Sequence, residues 1–327
     1  MGNVKELRKE NQVQNFGFGT ALDAPFVIPL TNSLTPAKGT STPTFTRSTV
    51  GTYVDIDGVV QEAAINTPRF EYENGQPKGI LIEEARTNLF LNSDAPATQT
   101  ITVVNATVYT LSVKGTGSIV LSGGGSGTAT EGSDVTFTSS STSVTCTVSG
   151  DLDYAQLEAG SFATSFIVTA GSSVQRTKDI CSYDVSSVLT QGQGSLYCEF
   201  NKVGGTSGRV FELHNGSTDS KITLFGSSGN IRAFMNNLGV TQVDITGGSI
   251  SFNTINKLLV TYKDDEFKFY YNGVKINEDL SCTVPTDFST LNIGSDFNNG
   301  VQLNGNVKNI KYYNEIISEI EAKRITG

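Results

Sequence analysis

The residues TFTRSTVGTYVDIDGVVQEAAINTPRFEYENGQPKGILIEEARTNLFL occupy positions 44–91 and indicate a run of short β-strands. Apolar and polar residues alternate on both sides of Asp57-Gly58, and again before Asn74-Gly75. Alternation around Asp-Gly or Asn-Gly is typical of a β-hairpin with a tight turn. Residues 80–82 then form a short apolar run, which predicts a further strand.

Paired carboxylates in this stretch have two interpretations. Glu71 and Glu73 would share one face of a strand, and a glycosidase uses two such carboxylates as acid and as base or nucleophile. Phe70 and Tyr72 are the natural inward residues of the same strand. The glutamates are therefore interpreted as exposed and structural, because the open face of an antiparallel strand is normally polar.

The composition predicts a β-rich protein of two or three domains. The chain has 327 residues, 34 glycines and no tryptophan, and it shows no long helical period before its C-terminal end. The net charge of −9 excludes nucleic acid and anionic membrane surfaces as favoured partners. No apolar run reaches the length of roughly 20 residues that a membrane span needs, so no membrane insertion is expected.

The four cysteines are predicted to be buried free thiols. Cys146, Cys181, Cys198 and Cys282 are scattered and lack the spacing of a metal site. A chain of this length can build its own hydrophobic core without a disulfide framework, so folding in a reducing cytosol is expected.

The segment 44–91 also closely resembles a segment shared by many virion proteins of tailed phages. These are the head-spike or head-fibre and tail-fibre proteins, found among others in crAss-like phages, and the matching residues are FTRSTVGTYVD and TPRFEYENGQPKGILIEEARTNLF. The resemblance implies a homo-oligomer on the virion surface, most often a trimer, that folds in the host cytoplasm. It also implies that residues 20–92 form a β-rich fibre or spike unit.

Residues 1–19 are polar and charged, with Val4 and Leu7 as the only early apolar pair. Alone, such a segment would hold at most a marginal helical turn. It is either a flexible tail or an anchor peptide that becomes ordered on a partner. The phage resemblance favours the anchor, with the capsid or another virion protein as the partner.

A second β unit is predicted for residues 98–178. Its closing segment, AQLEAGSFATSFIVTAGSSVQRTKD at positions 155–179, resembles the end of the carbohydrate-binding-like β-sandwich modules found in many phage fibres. Such modules often act as spacers. Glu158 is interpreted as a structural turn carboxylate, because this module offers few flat, exposed aromatic rings for sugar stacking.

Residues 180–327 resemble the laminin-G or concanavalin-like lectin fold, which implies a jelly roll. The resemblance rests on LLVTYKDDEFKFYYNGVKI at positions 258–276 and on LNIGSDFNNGVQLNGNVKNIKYYNEIISEIEAKRI at positions 291–325. A short helix over residues 318–324 is predicted from Ser318 and Glu321, which form a capping-box pattern. Ile317, Ile320 and Ile325 would form its apolar stripe.

One loop in this region is a candidate for binding calcium or sugar. It has the sequence SDFNNG, in which Asp296, Asn298 and Asn299 offer the hard oxygen ligands that calcium prefers. Clusters of Asp or Asn with Gly are also the default residues of hairpin turns. Tyr270 is predicted to be exposed beside amides, where it could stack on a sugar ring.

The sequence offers little for catalysis. His214 is the single histidine, no G-x-S-x-G turn is present, and the E-x-D-x-E strand of concanavalin-like glycosidases is missing. The resulting hypothesis is a non-enzymatic phage head fibre or spike that binds host-surface or mucus glycan weakly and multivalently. The alternatives are a tail-fibre receptor-binding protein, a capsule-degrading glycan hydrolase, and a structural module without a ligand.

Overall fold

A computed structural model describes residues 23–327, and the predicted anchor at residues 1–19 lies outside this range. Six strands come first: β1 (Phe26–Ile28), β2 (Pro43–Thr46), β3 (Gly51–Val54), β4 (Val60–Ala63), β5 (Phe70–Glu73) and β6 (Gln76–Ile82). The next nine are β7 (Arg86–Asn88), β8 (Gln99–Thr102), β9 (Val108–Lys114), β10 (Ser118–Gly123), β11 (Gly127–Thr130), β12 (Val135–Thr138), β13 (Ser143–Ser149), β14 (Tyr154–Ala159) and β15 (Val174–Arg176). The last elements are β16 (Ile180–Asp184), β17 (Gly194–Lys202), β18 (Gly208–His214), β19 (Lys221–Ser227), β20 (Asn230–Asn237), β21 (Val240–Ser249), β22 (Asn256–Lys263), β23 (Glu266–Tyr271), β24 (Val274–Asp279), β25 (Thr290–Ile293), β26 (Gly305–Tyr313) and α1 (Glu319–Thr326).

Two large sheets form the main body, which we call the large sandwich. One has eight strands in the order β24-β23-β22-β17-β26-β6-β5, with β1 also paired to β26. The other has seven strands in the order β2-β16-β25-β18-β19-β20-β21. Their facing side chains form one continuous hydrophobic core that includes Phe26, Ile80, Leu213, Met235 and Phe269. The all-β fold with a concanavalin-like jelly roll is thus confirmed.

The large sandwich combines both ends of the described chain, which differs from the predicted division into units 20–92 and 180–327. Strand β6 pairs with β26, with Ile82 opposite Gly305, and β2 pairs with β16. Strand alternation identifies the inward residues of each segment, but it carries no information about which distant strand becomes the neighbour. For this reason the segment 44–91 looked like a separate unit.

A second, smaller sandwich is inserted between β7 and β15. Its two sheets have the orders β11-β10-β13-β8 and β12-β9-β14. They enclose a separate core that includes Phe90, Leu111, Ile119, Val144 and Leu157. A β-sandwich was predicted for residues 98–178, but the core already begins at Phe90. Arg176, near the end of that range, and Asp179, just after it, belong to the base of the insertion instead.

Five charged side chains form a buried ionic cluster where the chain enters and leaves the inserted sandwich. These residues are Arg47, Arg69, Glu83, Arg176 and Asp179. Their side chains are completely buried, apart from that of Glu83, which is 6% exposed. Next to the cluster, β7 and β15 pair as a two-stranded connection to the inserted sandwich.

The C-terminal helix α1 begins after Ser318, as predicted. The Ser318 hydroxyl accepts a hydrogen bond from the backbone N–H of Glu321 at 3.3 Å. The Glu321 carboxylate pairs with Arg324 rather than with the N-cap backbone, so only half of the capping box forms. The predicted apolar stripe is wrong at Ile320, which is 84% exposed, whereas Ile317 is buried.

All four cysteines are buried and free, as predicted from their spacing. Among residues 23–327 there is no helix that is both long and apolar enough to cross a membrane.

Candidate functional site

The outer face of the seven-stranded sheet carries an unusual set of aromatic and charged side chains. In β19 and β20 the residues Ile222, Leu224, Ile231, Ala233 and Met235 point into the core. Because side chains alternate along a strand, the residues between them lie on the opposite face. We call this surface the polar-aromatic face; it consists of Arg209, Glu212, His214, Lys221, Thr223, Phe225, Arg232, Phe234, Asn236, Asp244 and Asn292.

The strand register arranges these residues in rows across the sheet. The central row runs from Asn292 through Glu212, Thr223 and Phe234 to Asp244, with each residue paired to the next strand. Side chains directly opposite one another on one face of a sheet lie in contact range. The rows therefore form a continuous surface rather than a set of isolated groups.

A neighbouring row consists of Arg209, Phe225 and Arg232. The guanidinium carbons of Arg209 and Arg232 lie 4.4 Å and 5.4 Å from the centre of the Phe225 ring. Guanidinium groups at such distances are attracted to the electron-rich face of the ring. Phe225 thus holds both arginines in place. The neighbouring Phe234 has a single cation over its ring within residues 23–327, the ammonium group of Lys221 at 5.8 Å.

Glu212 organises the centre of the face. Its side chain is fully buried and accepts hydrogen bonds from the Thr223 hydroxyl at 2.6 Å and from the backbone N–H of Phe297 at 2.9 Å. The Lys221 ammonium lies 3.6 Å from the same carboxylate, and Arg209 Nε lies 3.7 Å from it. One buried carboxylate therefore faces two cations.

His214 lies at the edge of the face in its neutral form. Burial lowers the pKa of the imidazole below its ordinary value, and Nδ1 accepts a hydrogen bond from the backbone N–H of Gly216 at 2.9 Å. In a neutral imidazole whose Nδ1 accepts, Nε2 carries the proton. The Nε2 donor has no partner in hydrogen-bond geometry, although the residue is only 5% exposed; the nearby amide of Asn292 interacts with the imidazole and offsets part of the lowering of its pKa.

Four buried polar atoms on this face have no hydrogen-bond partner. Among residues 23–327, fourteen buried side-chain nitrogen or oxygen atoms have no hydrogen-bond partner, and four of them belong to Arg209, His214, Arg232 and Asn236. Buried polar groups in folded proteins are normally hydrogen-bonded, because an unmade bond costs about 1–3 kcal/mol. The accumulation of such atoms on one surface identifies it as the candidate binding site.

The predicted calcium or sugar loop lies beside this face. Asp296 Oδ1 accepts the backbone N–H groups of Gly300 at 2.6 Å and Val301 at 3.3 Å, so it already serves as the cap of the turn. Asn298 is exposed, and Asn299 has a positive φ of 54°. The loop reaches the polar-aromatic face through Phe297, whose ring packs edge-on against His214 at 6.0 Å.

No group of three or more His, Cys, Asp or Glu side chains within residues 23–327 is arranged to hold a metal ion. Asp296 offers the one carboxylate of its loop, and it shares that carboxylate with two backbone donors. Calcium binding at Asp296 and Asn298 therefore stays a prediction.

The structure contradicts the predicted exposure of Tyr270. Its side chain is completely buried, in a small hydrophobic cluster with Tyr197, Leu259 and Ala322 on the outer side of the eight-stranded sheet. The alternation correctly separated Tyr270 from Phe269 and Tyr271, but α1 covers that outer side. Tyr270 is therefore remote from the loop 296–299, and the four predicted residues do not form one site.

Sequence reasoning missed the aromatic and charged residues of the actual face. The signal was present in KITLFGS and NIRAFMN, where buried Ile, Leu, Ala and Met alternate with Lys, Thr, Phe, Arg and Asn. The alternation predicts two strands, but it does not indicate which polar sides become neighbours. Only the order β18-β19-β20 brings those sides together.

Residues 195–323 match the family model Laminin_G_3, described as the concanavalin A-like lectin/glucanases superfamily. This match includes the strands that carry the polar-aromatic face, so this part of the chain is similar to the lectin-like class. The model does not extend to the strands β1, β2, β5 and β6, which complete the large sandwich. No curated protein matches the sequence.

Several solved structures resemble part of the chain. The CBM40 of a Ruminococcus gnavus IT-sialidase, bound to alpha2,3 sialyllactose, is 16% identical with a TM-score of 0.39; the alignment covers 45% of this chain and 92% of that one. Domain 4 of AbnA, a GH43 extracellular arabinanase from Geobacillus stearothermophilus, in complex with arabinotriose, is 12% identical with a TM-score of 0.38, covering 51% and 82%. The heptameric SAP-like pentraxin from Limulus polyphemus is 11% identical with a TM-score of 0.35, covering 42% and 70%. With TM-scores this low, these similarities support no conclusion about function.

Proposed function

We propose that the protein is a non-enzymatic glycan-binding protein and that the polar-aromatic face is its binding surface. The observation that carries this proposal is the combination of Phe225 and Phe234 with four unpartnered polar atoms on one sheet face. Sugars are recognised by aromatic rings that stack on their apolar faces and by fixed donors and acceptors for their hydroxyl groups. The match of residues 195–323 to a lectin/glucanase family supports the same class of ligand.

The setting that we propose is the surface of a tailed-phage virion, where the protein would be a head fibre or spike. The support is the resemblance of residues 44–91 to virion proteins of this kind. In the structure these residues complete the large sandwich and supply Arg47, Arg69 and Glu83 to the buried ionic cluster. Their role within this proposal is architectural, and attachment to the capsid is left to residues 1–19.

Within this proposal the protein is a homo-oligomer, with a trimer as the expected form. A single open sheet face gives weak binding, and several copies on one particle raise the avidity through a high effective concentration. Light scattering of the full-length protein would measure the copy number. Deletion of residues 1–19 should abolish incorporation into particles and leave the fold intact, as judged by circular dichroism.

A glycan array probed with the full-length protein tests the binding function. We expect discrete glycan signals that fall at least tenfold in Phe234→Ala. The control is Ile320→Ala, which removes a similarly apolar side chain from α1 on the opposite side of the large sandwich. Binding that survives Phe234→Ala unchanged, or is lost equally in Ile320→Ala, would contradict the proposed surface.

The same purified protein distinguishes a binding protein from a glycan hydrolase. Incubation with capsular polysaccharide from the host, followed by a reducing-end assay, should give no increase over the buffer control. New reducing ends that disappear in Glu212→Gln would instead identify an enzyme that uses the carboxylate of this face.

A further inference from the structure

We propose that Arg209 is an anion-recognising residue and that the ligand of the polar-aromatic face is a glycan with a carboxylate or sulfate substituent. This inference rests on the proposed glycan-binding function and specifies the class of ligand. It follows from the hydrogen bonds, charge and accessibility of Arg209 and its neighbours.

Arg209 has a fixed position but no hydrogen-bond partner. It lies near the start of β18, its guanidinium group stacks on Phe225, and its side chain is 21% exposed. Within residues 23–327 its guanidinium group makes no hydrogen bond, and the closest carboxylate oxygen, on Glu212, lies 3.7 Å from Nε. This distance is too long for a hydrogen bond, so none of the five N–H donors of the side chain has a hydrogen-bond partner.

The N–H donors of Arg209 that a ligand can reach are those on its two Nη atoms. Arg209 Nε is buried and unpartnered, whereas the two Nη atoms, although unpartnered as well, are not among the buried atoms. The guanidinium group is therefore held by Phe225 at its inner part and presents its outer edge to solvent. A preoriented guanidinium edge is suited to the bidentate binding of a planar carboxylate or of two sulfate oxygens.

The charges around Arg209 also favour an anion. The buried carboxylate of Glu212 faces two cations, Arg209 and Lys221, and neither cation hydrogen-bonds to it. Glu212 is instead hydrogen-bonded to Thr223 and Phe297. The third cation of the face, Arg232, is paired with Asp244 and is thereby neutralised. This part of the face has one positive charge in excess, although the whole chain has a net charge of −9.

Different rows of the polar-aromatic face would bind different parts of one ligand. Phe234, flanked by Lys221, can stack on a sugar ring, and Nε2–H of His214 is a buried donor without a partner. Arg209 lies in the adjacent row and would bind the acidic substituent of that sugar or of its neighbour. Arg232 holds the other side of Phe225 and is a positioning residue in this scheme.

Titration calorimetry of the full-length protein with matched pairs of oligosaccharides tests this inference. The pairs are trigalacturonate and its methyl ester, sialyllactose and lactose, and a carrageenan tetrasaccharide and its desulfated form. We expect at least one acidic member to bind ten times or more tightly than its neutral counterpart. The first two pairs test a carboxylate and the third tests a sulfate, so the results also identify the acidic group.

Three variants separate this role from a structural one. Arg209→Gln should abolish the preference, so that the acidic member binds no more tightly than its neutral counterpart. Arg209→Lys should restore part of the preference, because lysine keeps the positive charge but lacks the parallel N–H donors of the guanidinium group. Arg324→Gln, which removes an exposed arginine on α1, should behave like the unmodified protein. Unchanged melting temperatures would show that the variants are folded.

The possible failures of the two proposals differ. Equal affinity for acidic and neutral members in every pair, or an acidic preference that survives Arg209→Gln, would overturn the role of Arg209 while leaving glycan binding intact. The absence of binding both to these oligosaccharides and on the glycan array would overturn the proposed function itself.

Discussion

Arg69 and Asp179, which are 110 residues apart in the chain, form an ion pair of 2.5 Å in which neither side chain is exposed. Asp179 also pairs with Arg47 at 3.1 Å, and Arg69 pairs with Glu83 at 2.8 Å. Glu83 in turn contacts Arg176 at 2.7 Å and accepts hydrogen bonds from both the backbone and the hydroxyl of Ser165. The cluster thus connects the large sandwich to a loop of the inserted sandwich.

Removal of one member of this cluster should destabilise the protein strongly. Arg69→Met leaves Asp179 and Glu83 buried with one cationic partner fewer, and the loss of one partner from a buried ion pair costs about 3–5 kcal/mol. Urea unfolding followed by circular dichroism should show this as a lower free energy of unfolding.

Arg324→Met is the matched control for Arg69→Met. It breaks the exposed ion pair with Glu321 on α1 and should leave the unfolding midpoint unchanged, because exposed pairs contribute little. If both variants unfold at the same urea concentration as the unmodified protein, the cluster does not stabilise the fold.

Acid should weaken the cluster through Glu83. Burial alone would raise the pKa of this carboxyl, but the charges of Arg176 and Arg69 outweigh burial and lower the pKa from 4.5 to about 2. A folded-state pKa below the unfolded value means that the contribution to stability is complete above pH 4.5 and is lost as the pH falls towards 2.

Thermal unfolding of Glu83→Gln as a function of pH measures this contribution. The variant should melt well below the unmodified protein at pH 7, and the difference should shrink between pH 4.5 and pH 2.5. A difference in melting temperature that stays constant over this range would show that the charge of Glu83 is not the stabilising feature.

The inserted sandwich should be removable without loss of the large one. Its ends are adjacent, because β7 and β15 pair with Asn88 opposite Val174. Replacing residues 90–172 with a short Gly/Ser linker keeps this pairing and leaves the core of the large sandwich complete. We expect cooperative unfolding of the shortened protein, at a lower temperature because Glu83 and Arg69 lose Ser165.

The C-terminal fragment that begins at residue 180 should fail to fold on its own. Residues 180–327 alone lack the strands β1 and β6, which both pair with β26, and the core residues Phe26, Ile28, Ile80 and Ile82. Nuclear magnetic resonance spectra of this fragment should show poor dispersion of amide signals. A well-dispersed spectrum would support the sequence-based division at residue 180.

The sequence predicted the local structure well, because local structure depends on nearby residues. Asp57-Gly58 and Asn74-Gly75 do join strand pairs, and the Ser318 cap does start α1. Asp55 accepts hydrogen bonds from the backbone N–H groups of Asp57 and Val59 and thereby fixes the first of these turns. These features follow from turn and cap chemistry within a few residues.

The long-range arrangement could not be predicted, and the candidate site depends on it. The buried cluster joins Arg47, Arg69 and Glu83 to Arg176 and Asp179, and no periodicity indicates that these residues meet. Tyr270 was placed on the correct side of its strand, yet its exposure depends on where α1 packs. Arg209, Phe225 and Arg232 become neighbours only through the pairing of three strands.

The four cysteines should be unreactive in the folded protein and reactive after unfolding. Burial raises the pKa of Cys146 to about 12. The pKa of Cys282 is raised to about 11, mainly by burial. Burial also raises the pKa values of Cys181 and Cys198. The thiolate is the reactive form, so almost none is present at pH 8. Ellman's reagent should therefore detect no rapid reaction in the native protein and four thiols in denaturant without reductant.

Val120→Cys provides the control, because it adds a thiol at an exposed position of β10 that should react at once in the native state. Fewer than four thiols in the denatured protein would reveal a disulfide, and a rapid native reaction without Val120→Cys would show that one of the cores opens on the timescale of the assay.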